Sequence, residues 1–182
     1  VVESLNHSCL HNKVKLNLHW EDSDNFNIED LNKFDGVVIP GGFGYRGIEG
    51  KISAIEILRK QKIPFLGICL GLQCAVIEFA RNECGIKDAN SSEFSQNTSN
   101  FVIDLLPNQN LEKDDVGASM RLGTYPCKIK KGTKTSKIYK DEIIYERHRH
   151  RYEVNNNYKE ELEKAGLIFS GMSPDNNLIE MI

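Results

Sequence analysis

Residues 64–73 read PFLGICLGLQ and set Cys69 between Gly67 and Gly71, where an apolar run gives way to helical spacing. A thiolate is a strong acyl-transfer nucleophile, and a helix start supplies free backbone N–H groups and partial positive charge. Both lower a thiol's pKa and can hold a developing oxyanion. Glycines on either side permit the sharp strand-to-helix turn that presents such a side chain, because bulkier neighbours collide there. The spacing therefore predicts a nucleophile at Cys69. The other cysteines, Cys9, Cys74, Cys84 and Cys127, lack this setting and read as buried structural thiols. A second glycine cluster, VVIPGGFGYRG (37–47), follows another apolar run and should lie beside the elbow. Its backbone N–H groups are candidates for the other half of an oxyanion hole.

Two elements must place these groups at one sheet edge. DGVVIP (35–40) and IPFLGI (63–68) are short, near-continuous apolar runs of the kind found in strands buried on both faces. Between them GKISAIEILRKQ carries Ile52, Ile55 and Leu58 at helical spacing. After Cys69, Leu72, Ala75, Val76 and Phe79 predict a second helix ending near Asn82. Strand, helix, strand, helix implies parallel pairing with crossover helices. The opening residues to Leu10 fit an amphipathic helix, and KVKLNLHW (13–20) alternates like a strand. From 88 to 119 the chain is polar and reads as surface loop, apart from a strand at FVIDLL (101–106). Further strands are expected around MRLGTYPCKI, RHRYEV, LIFSGM and NNLIEMI, with a helix at YKEELEKAG. On a strand, Arg147, Arg149 and Arg151 would share one face, with His148 and His150 on the other.

The 182 residues suit a single domain, and the net charge of −3 gives no general attraction to nucleic acid or an anionic membrane. The run RHRHR (147–151), flanked by Glu146 and Glu153, is too isolated to read as a nucleic-acid patch. Five cysteines without a CxxC pair argue against a disulfide framework and a zinc site, and point to reduced thiols. No apolar run approaches the roughly 18 residues of a membrane span, so a soluble, cytoplasmic protein is expected.

Together VVIPGGFGYRGIEGKISAI, KIPFLGICLGLQCAVIEFARN, DANSSEF, MRLG and YERHRHRYEVN resemble, in order, the glutamine amidotransferase domain of the CTP synthase family. GxCxG by itself indicates only a class I amidotransferase; SSEF, EFARN and RHRHRYEVN narrow it. The resemblance implies an α/β fold with an open, mostly parallel sheet flanked by helices and a smaller antiparallel β portion in the C-terminal half. It implies hydrolysis of L-glutamine, with Cys69 forming a γ-glutamyl thioester and the ammonia passing to a synthetase domain that aminates ATP-activated UTP to CTP. Gly42 and Leu70 match the oxyanion-hole positions. Gly71, Leu72 and Gln73 lie in the glutamine-contacting stretch after the nucleophile, and Glu93 and Arg151 match residues that bind the substrate's charged end. Free glutamine carries an ammonium and a carboxylate, and Glu93 and Arg151 offer one opposite charge for each. No cofactor is implied for this domain; ATP, UTP, Mg²⁺ and activating GTP are implied for the full enzyme, which is expected to be a homo-oligomer.

The resemblance spans residues 1–182 as one amidotransferase domain without the family's first strand, its C-terminal segment or the synthetase domain. In the family the general base and its acid partner sit in a His-Pro-Glu stretch beyond the strand that here ends at Ile182. Within the chain, His150 is a weaker candidate base than a structural, hydrogen-bonded histidine. LEKDDVGAS departs from the family's usual GGT before MRLG and is short for the lid loop tied to GTP activation. Two other readings stay open: a stand-alone cysteine hydrolase of the same fold acting on γ-glutamyl or peptide substrates, and a catalytically incomplete regulatory module. The first has no need of RHRHRYEVN and the second no need of the reactive elbow.

Overall fold

The two apolar runs form β1 (Val37–Ile39) and β2 (Phe65–Gly67), which pair in parallel with Val37 opposite Phe65 and Ile39 opposite Gly67. The computed structural model describes residues 1–95, 97–105 and 120–182. Before these strands come α1 (Val2–His11) and the short α2 (Ile28–Leu31). Between them runs α3 (Ile48–Gln61), and after Cys69 comes α4 (Leu70–Asn82). Helix α3 ends with Arg59 and Lys60 in its last turn and Lys62 in the left-handed region.

A three-stranded sheet holds β3 (Asn90–Ser91), β4 (Phe101–Leu105) and β7 (Tyr152–Val154), with β3 parallel and β7 antiparallel to β4. A four-stranded antiparallel sheet, in the order β6-β5-β8-β9, holds β5 (Arg121–Ile129), β6 (Ile143–His150), β8 (Gly171–Met172) and β9 (Ile179–Met181). Helix α5 (Lys134–Tyr139) joins β5 to β6, and α6 (Lys159–Lys164) follows β7. The result is a mixed α/β fold with parallel and antiparallel sheets.

Helix α4 is the hub. It touches α3, β1, β2, β3, β4 and β7, and is buried along most of its length. Ile55 and Leu58 of α3, Val76 and Ile77 of α4, Val102 and Ile103 of β4 and Leu162 of α6 share the main core. Removing such side chains from water supplies the drive for folding, at about 25 cal/mol per Å² of apolar surface. Cys127, Ile129 and Ile144 form a second cluster within the antiparallel sheet.

Several expectations are corrected. Residues 13–20 belong to no ladder, and Val14, Leu18 and Trp20 are exposed; alternation alone makes no strand without a partner for its N–H and C=O groups. Helix α1 forms but buries none of its residues. Strand β2 is not covered on both faces: Leu66 is 56% exposed beside a cavity of about 940 Å³. The polar segment at 88–95 is not plain surface, because Ala89 and Ser91 are fully buried. Cys9 and Cys84 are half-buried, whereas Cys74 and Cys127 are buried as expected, and all five cysteines are free. Strand RHRYEV is two strands, broken at Arg151. LIFSGM pairs only at Gly171–Met172. Leu106 of FVIDLL and the LEKDDVGAS segment lie outside the described residues.

Candidate active site

Parallel pairing brings the ends of β1 and β2 together, and the Ile68 N–H donates to the Ile39 carbonyl at 2.9 Å. The elbow depends on close backbone approach. A Cβ on Gly67 would stand 2.7 Å from the backbone of Gly71, and one on Gly71 only 2.2 Å from the Ile39 oxygen. Any side chain at either place would push α4 off the strands. Between them Cys69 takes φ 54° and ψ −105°, a conformation that costs a non-glycine residue about 1–3 kcal/mol. The surrounding helix and strands over-determine that geometry, and they aim the thiol out of the sheet edge.

The Cys69 thiol lies 3.8 Å from the Arg149 carbonyl, as its donor. Burial pushes the thiol pKa above its ordinary value; the Leu70 N–H draws it down, while the Glu93 and Glu153 carboxylates push it further up. The net direction is opposite to that expected from the helix start alone. Desolvation and two nearby anions outweigh one backbone donor when no substrate is bound.

Glu93 follows β3 in a turn held by Ser91, whose hydroxyl accepts from the Glu93 N–H at 3.2 Å. Next to it, Ser92 donates to Asp104 of β4 at 2.6 Å. The Glu93 carboxylate accepts from the Gly44 N–H at 3.0 Å, across from the glycine-rich loop after β1. Burial raises its pKa, opposed by that N–H and by the nearby Arg151 charge. Arg151 occupies the break between β6 and β7 and is half-buried, whereas Arg147 and Arg149 on β6 are exposed. Gln73, on the first turn of α4, donates to the Tyr152 carbonyl at 2.9 Å and ties the elbow helix to β7.

A cavity of about 300 Å³ collects Gly42, Cys69, Gln73, Glu93 and Arg151, along with Phe43, Met120, Arg149, His150 and Tyr152. Three expected residues stand apart from its lining. Leu70 is buried and offers its N–H to the thiol, Gly71 is packed beneath Ile39, and Leu72 lines the larger cavity beside β2. Sequence reasoning did not single out Phe43, Met120 or Tyr152. Phe43 had a signal, as an aromatic residue inside the glycine cluster; Met120 and Tyr152 had none beyond their neighbours. His150 Nε2 sits 2.7 Å from a Glu153 oxygen.

The class-I glutamine amidotransferase family model matches residues 1–182. The chain belongs to the class-I glutamine amidotransferase family. The CTP synthase of Caldanaerobacter subterraneus subsp. tengcongensis is 54% identical to this chain over 186 aligned residues, covering 100% of this chain and 34% of that protein. The CTP synthase of Carboxydothermus hydrogenoformans is 53% identical, covering 100% of this chain and 35% of that protein. This amidotransferase chain thus spans about a third of the length of the curated relatives it matches. The glutaminase domain of Trypanosoma brucei CTPS, solved with bound acivicin, superposes with a TM-score of 0.88 at 38% identity. That match covers 94% of this chain and 67% of the other. Among the described residues no helix is long and apolar enough to cross a membrane.

Proposed function

We propose that this chain is the glutaminase part of a CTP synthase, hydrolysing L-glutamine to supply ammonia for ATP-dependent amination of UTP by a synthetase part of the same protein. The observation that carries the reading is the meeting of Cys69, Glu93 and Arg151 in one cavity. Glu93 takes the substrate ammonium and Arg151 its carboxylate, which leaves the γ-carboxamide directed at the thiol. Gln73, Leu72 and Gly71 belong to the stretch that shapes this path. The Cys69 thiolate attacks the amide carbon; a C–S bond forms, and the carbonyl electron pair moves to oxygen, where the Gly42 and Leu70 N–H groups receive it. Collapse breaks the C–N bond, nitrogen leaves with a proton as ammonia, and a γ-glutamyl thioester remains. Water then cleaves the thioester to glutamate and restores the thiol.

The proton carrier in this reading is the histidine of the family's His-Pro-Glu stretch, since His150 is engaged with Glu153. Among the described residues no three His, Cys, Asp or Glu side chains cluster as ligands for a metal ion. No glutaminase step in this reading is routed through a metal ion. ATP, UTP, Mg²⁺ and GTP belong to the amination half of the proposal, together with homo-oligomeric assembly and a cytoplasmic location. The test is labelling of the intact protein with a diazo-ketone analogue of glutamine. Mass mapping should find the adduct on Cys69 alone, blocked by glutamine; an adduct on Cys74 or Cys84 in its place overturns the assignment.

A further inference from the structure

A buried charge cluster adjoins the site, with His150 in the cavity lining and Arg121, Glu153, Glu180 and His148 outside it, and the steps above do not use it. Arg121 pairs with His150 in the β5–β6 ladder and is 8% exposed. Its Nη1 donates to Glu153 Oε1 at 2.8 Å and its Nη2 to Glu180 Oε1 at 2.9 Å, while its guanidinium stands 4.5 Å from the centre of the Tyr125 ring. His150 Nε2 approaches the same Glu153 oxygen at 2.7 Å, and His148 Nε2 lies 3.5 Å from Glu180 Oε2.

These contacts join separate sheets. Arg121 and Glu180 sit on β5 and β9 of the four-stranded sheet, whereas Glu153 sits on β7 of the three-stranded one. The chain passes from one sheet to the other at Arg151. Around that bend the Arg149 carbonyl meets Cys69, and the Tyr152 carbonyl meets Gln73. Arg151 lines the cavity with Glu93, and Glu153 turns inward to Arg121. One guanidinium therefore fixes the far side of a five-residue segment whose near side contacts the nucleophile, the elbow helix and the substrate cavity. A forked cation is suited to this, since it can hold two carboxylates in fixed directions where an ammonium holds a point.

We infer that Arg121 is a positioning residue of this site: by clamping Glu153 of β7 to Glu180 of β9, it sets the bend at Arg151 against Cys69. The substrate terms of the inference rest on the glutaminase reading, but the geometry does not. The charged or titratable groups that act on the thiol are Glu93 and Glu153, and behind Glu153 stand Arg121, His150, His148 and Glu180, with Arg151 beside Glu93. Loss of the Arg121 charge would leave Glu153 less compensated and so oppose thiolate formation at Cys69.

The experiment compares the intact wild-type protein with R121M and R121K in three measurements: melting temperature, kcat and KM for glutamine, and the pH profile of Cys69 alkylation by iodoacetamide. R121M should raise KM about tenfold or more, with a smaller change in kcat, because the head-group arm moves relative to the nucleophile. It should also shift the alkylation profile to higher pH. R121K keeps the charge but not the fork, so it should restore the alkylation profile and recover KM only in part. Folded variants with wild-type KM and an unshifted profile overturn the inference and leave Arg121 a packing residue. If R121M does not fold, R121K decides: a raised KM supports the clamp and a wild-type KM overturns it. If the wild type itself leaves glutamine intact, the glutaminase reading fails, and the R121M alkylation profile judges the clamp without it, a shift relative to wild type and R121K supporting it and no shift overturning it.

Discussion

The Glu93 carboxylate accepts a hydrogen bond from the Gly44 N–H at 3.0 Å, so the residue proposed to bind the substrate ammonium also holds the loop that carries Gly42. The two duties separate by substitution. Glu93→Gln keeps an acceptor oxygen for Gly44 but loses the charge, and is expected to raise KM for glutamine with kcat largely kept. Glu93→Ala loses both, and kcat should fall as well. A hydrogen bond to a charged group is worth about 1.5–3 kcal/mol, or about 10- to 100-fold in kcat/KM for each variant. Equal kcat values for the two variants would show that Glu93 does not hold the loop.

The thiol gives a prediction in pH. Burial, Glu93 and Glu153 raise the Cys69 pKa, so the thiolate forms at higher pH than for an ordinary thiol. Without substrate, iodoacetamide alkylation of Cys69 should still be accelerating above pH about 8.5, where a free cysteine is half ionised. Glu93→Gln removes an anion and should move the profile to lower pH. A rate that levels off below pH about 7 would mean a thiolate already formed in the resting site.

Cysteine reactivity also reports on the core. Cys74 is buried on α4 with its pKa pushed up to about 12, and Cys127 is buried in the antiparallel sheet with its pKa at about 11, burial being the main cause in both. Both should resist alkylation in the folded protein and react only after denaturation, while Cys69 is modified in the native state. Native-state adducts at Cys74 would mean that α4 leaves its packing against β1 and β2.

The parallel half was legible because its signals are local. Apolar runs gave β1 and β2, helical spacing gave α3 and α4, and GxCxG marked the elbow, whose glycines prove to be points of backbone contact. What stayed hidden depends on partners distant in sequence. Residues 13–20 alternate as a strand does, yet no strand among the described residues pairs with them. Arginine alternation placed Arg151 on one strand with Arg147 and Arg149, but the passage between two sheets ends β6 at His150, and Arg149, His150 and Arg151 all line the cavity. Asn90 and Ser91 read as polar loop because a two-residue strand has no periodicity to show.

The glycine contacts predict a stability contrast. Gly71→Ala puts a methyl group 2.2 Å from the Ile39 oxygen, a backbone atom that cannot step aside, whereas a Cβ on Gly41 meets nothing closer than the Cys69 Cβ at 3.5 Å. Overpacking of this kind costs about 1–3 kcal/mol. Thermal unfolding should therefore show a clear loss for Gly71→Ala and little change for Gly41→Ala. Equal losses would mean that α4 can slide along the strands.

Glu78, on α4, is fully buried, and its carboxylate receives Nε and Nη2 of Arg59 at 2.9 and 2.8 Å and the Asn82 side-chain amide at 2.9 Å. Arg59 also reaches Glu83, so one guanidinium on α3 neutralises the only buried acid of the helix that carries the nucleophile's elbow, among the described residues. Removing one partner of a buried pair leaves a desolvated charge and costs about 3–5 kcal/mol, while replacing both with apolar side chains of similar volume is often close to neutral. Arg59→Met alone should thus destabilise the protein strongly, and the double variant Arg59→Met, Glu78→Met should recover most of the loss in denaturant unfolding. The recovered double variant should retain Cys69 labelling by the diazo-ketone analogue, because the pair fixes α4 against α3 rather than shaping the cavity. A double variant as unstable as the single would mean that the ion pair itself, with its hydrogen bond to Asn82, holds the two helices in register.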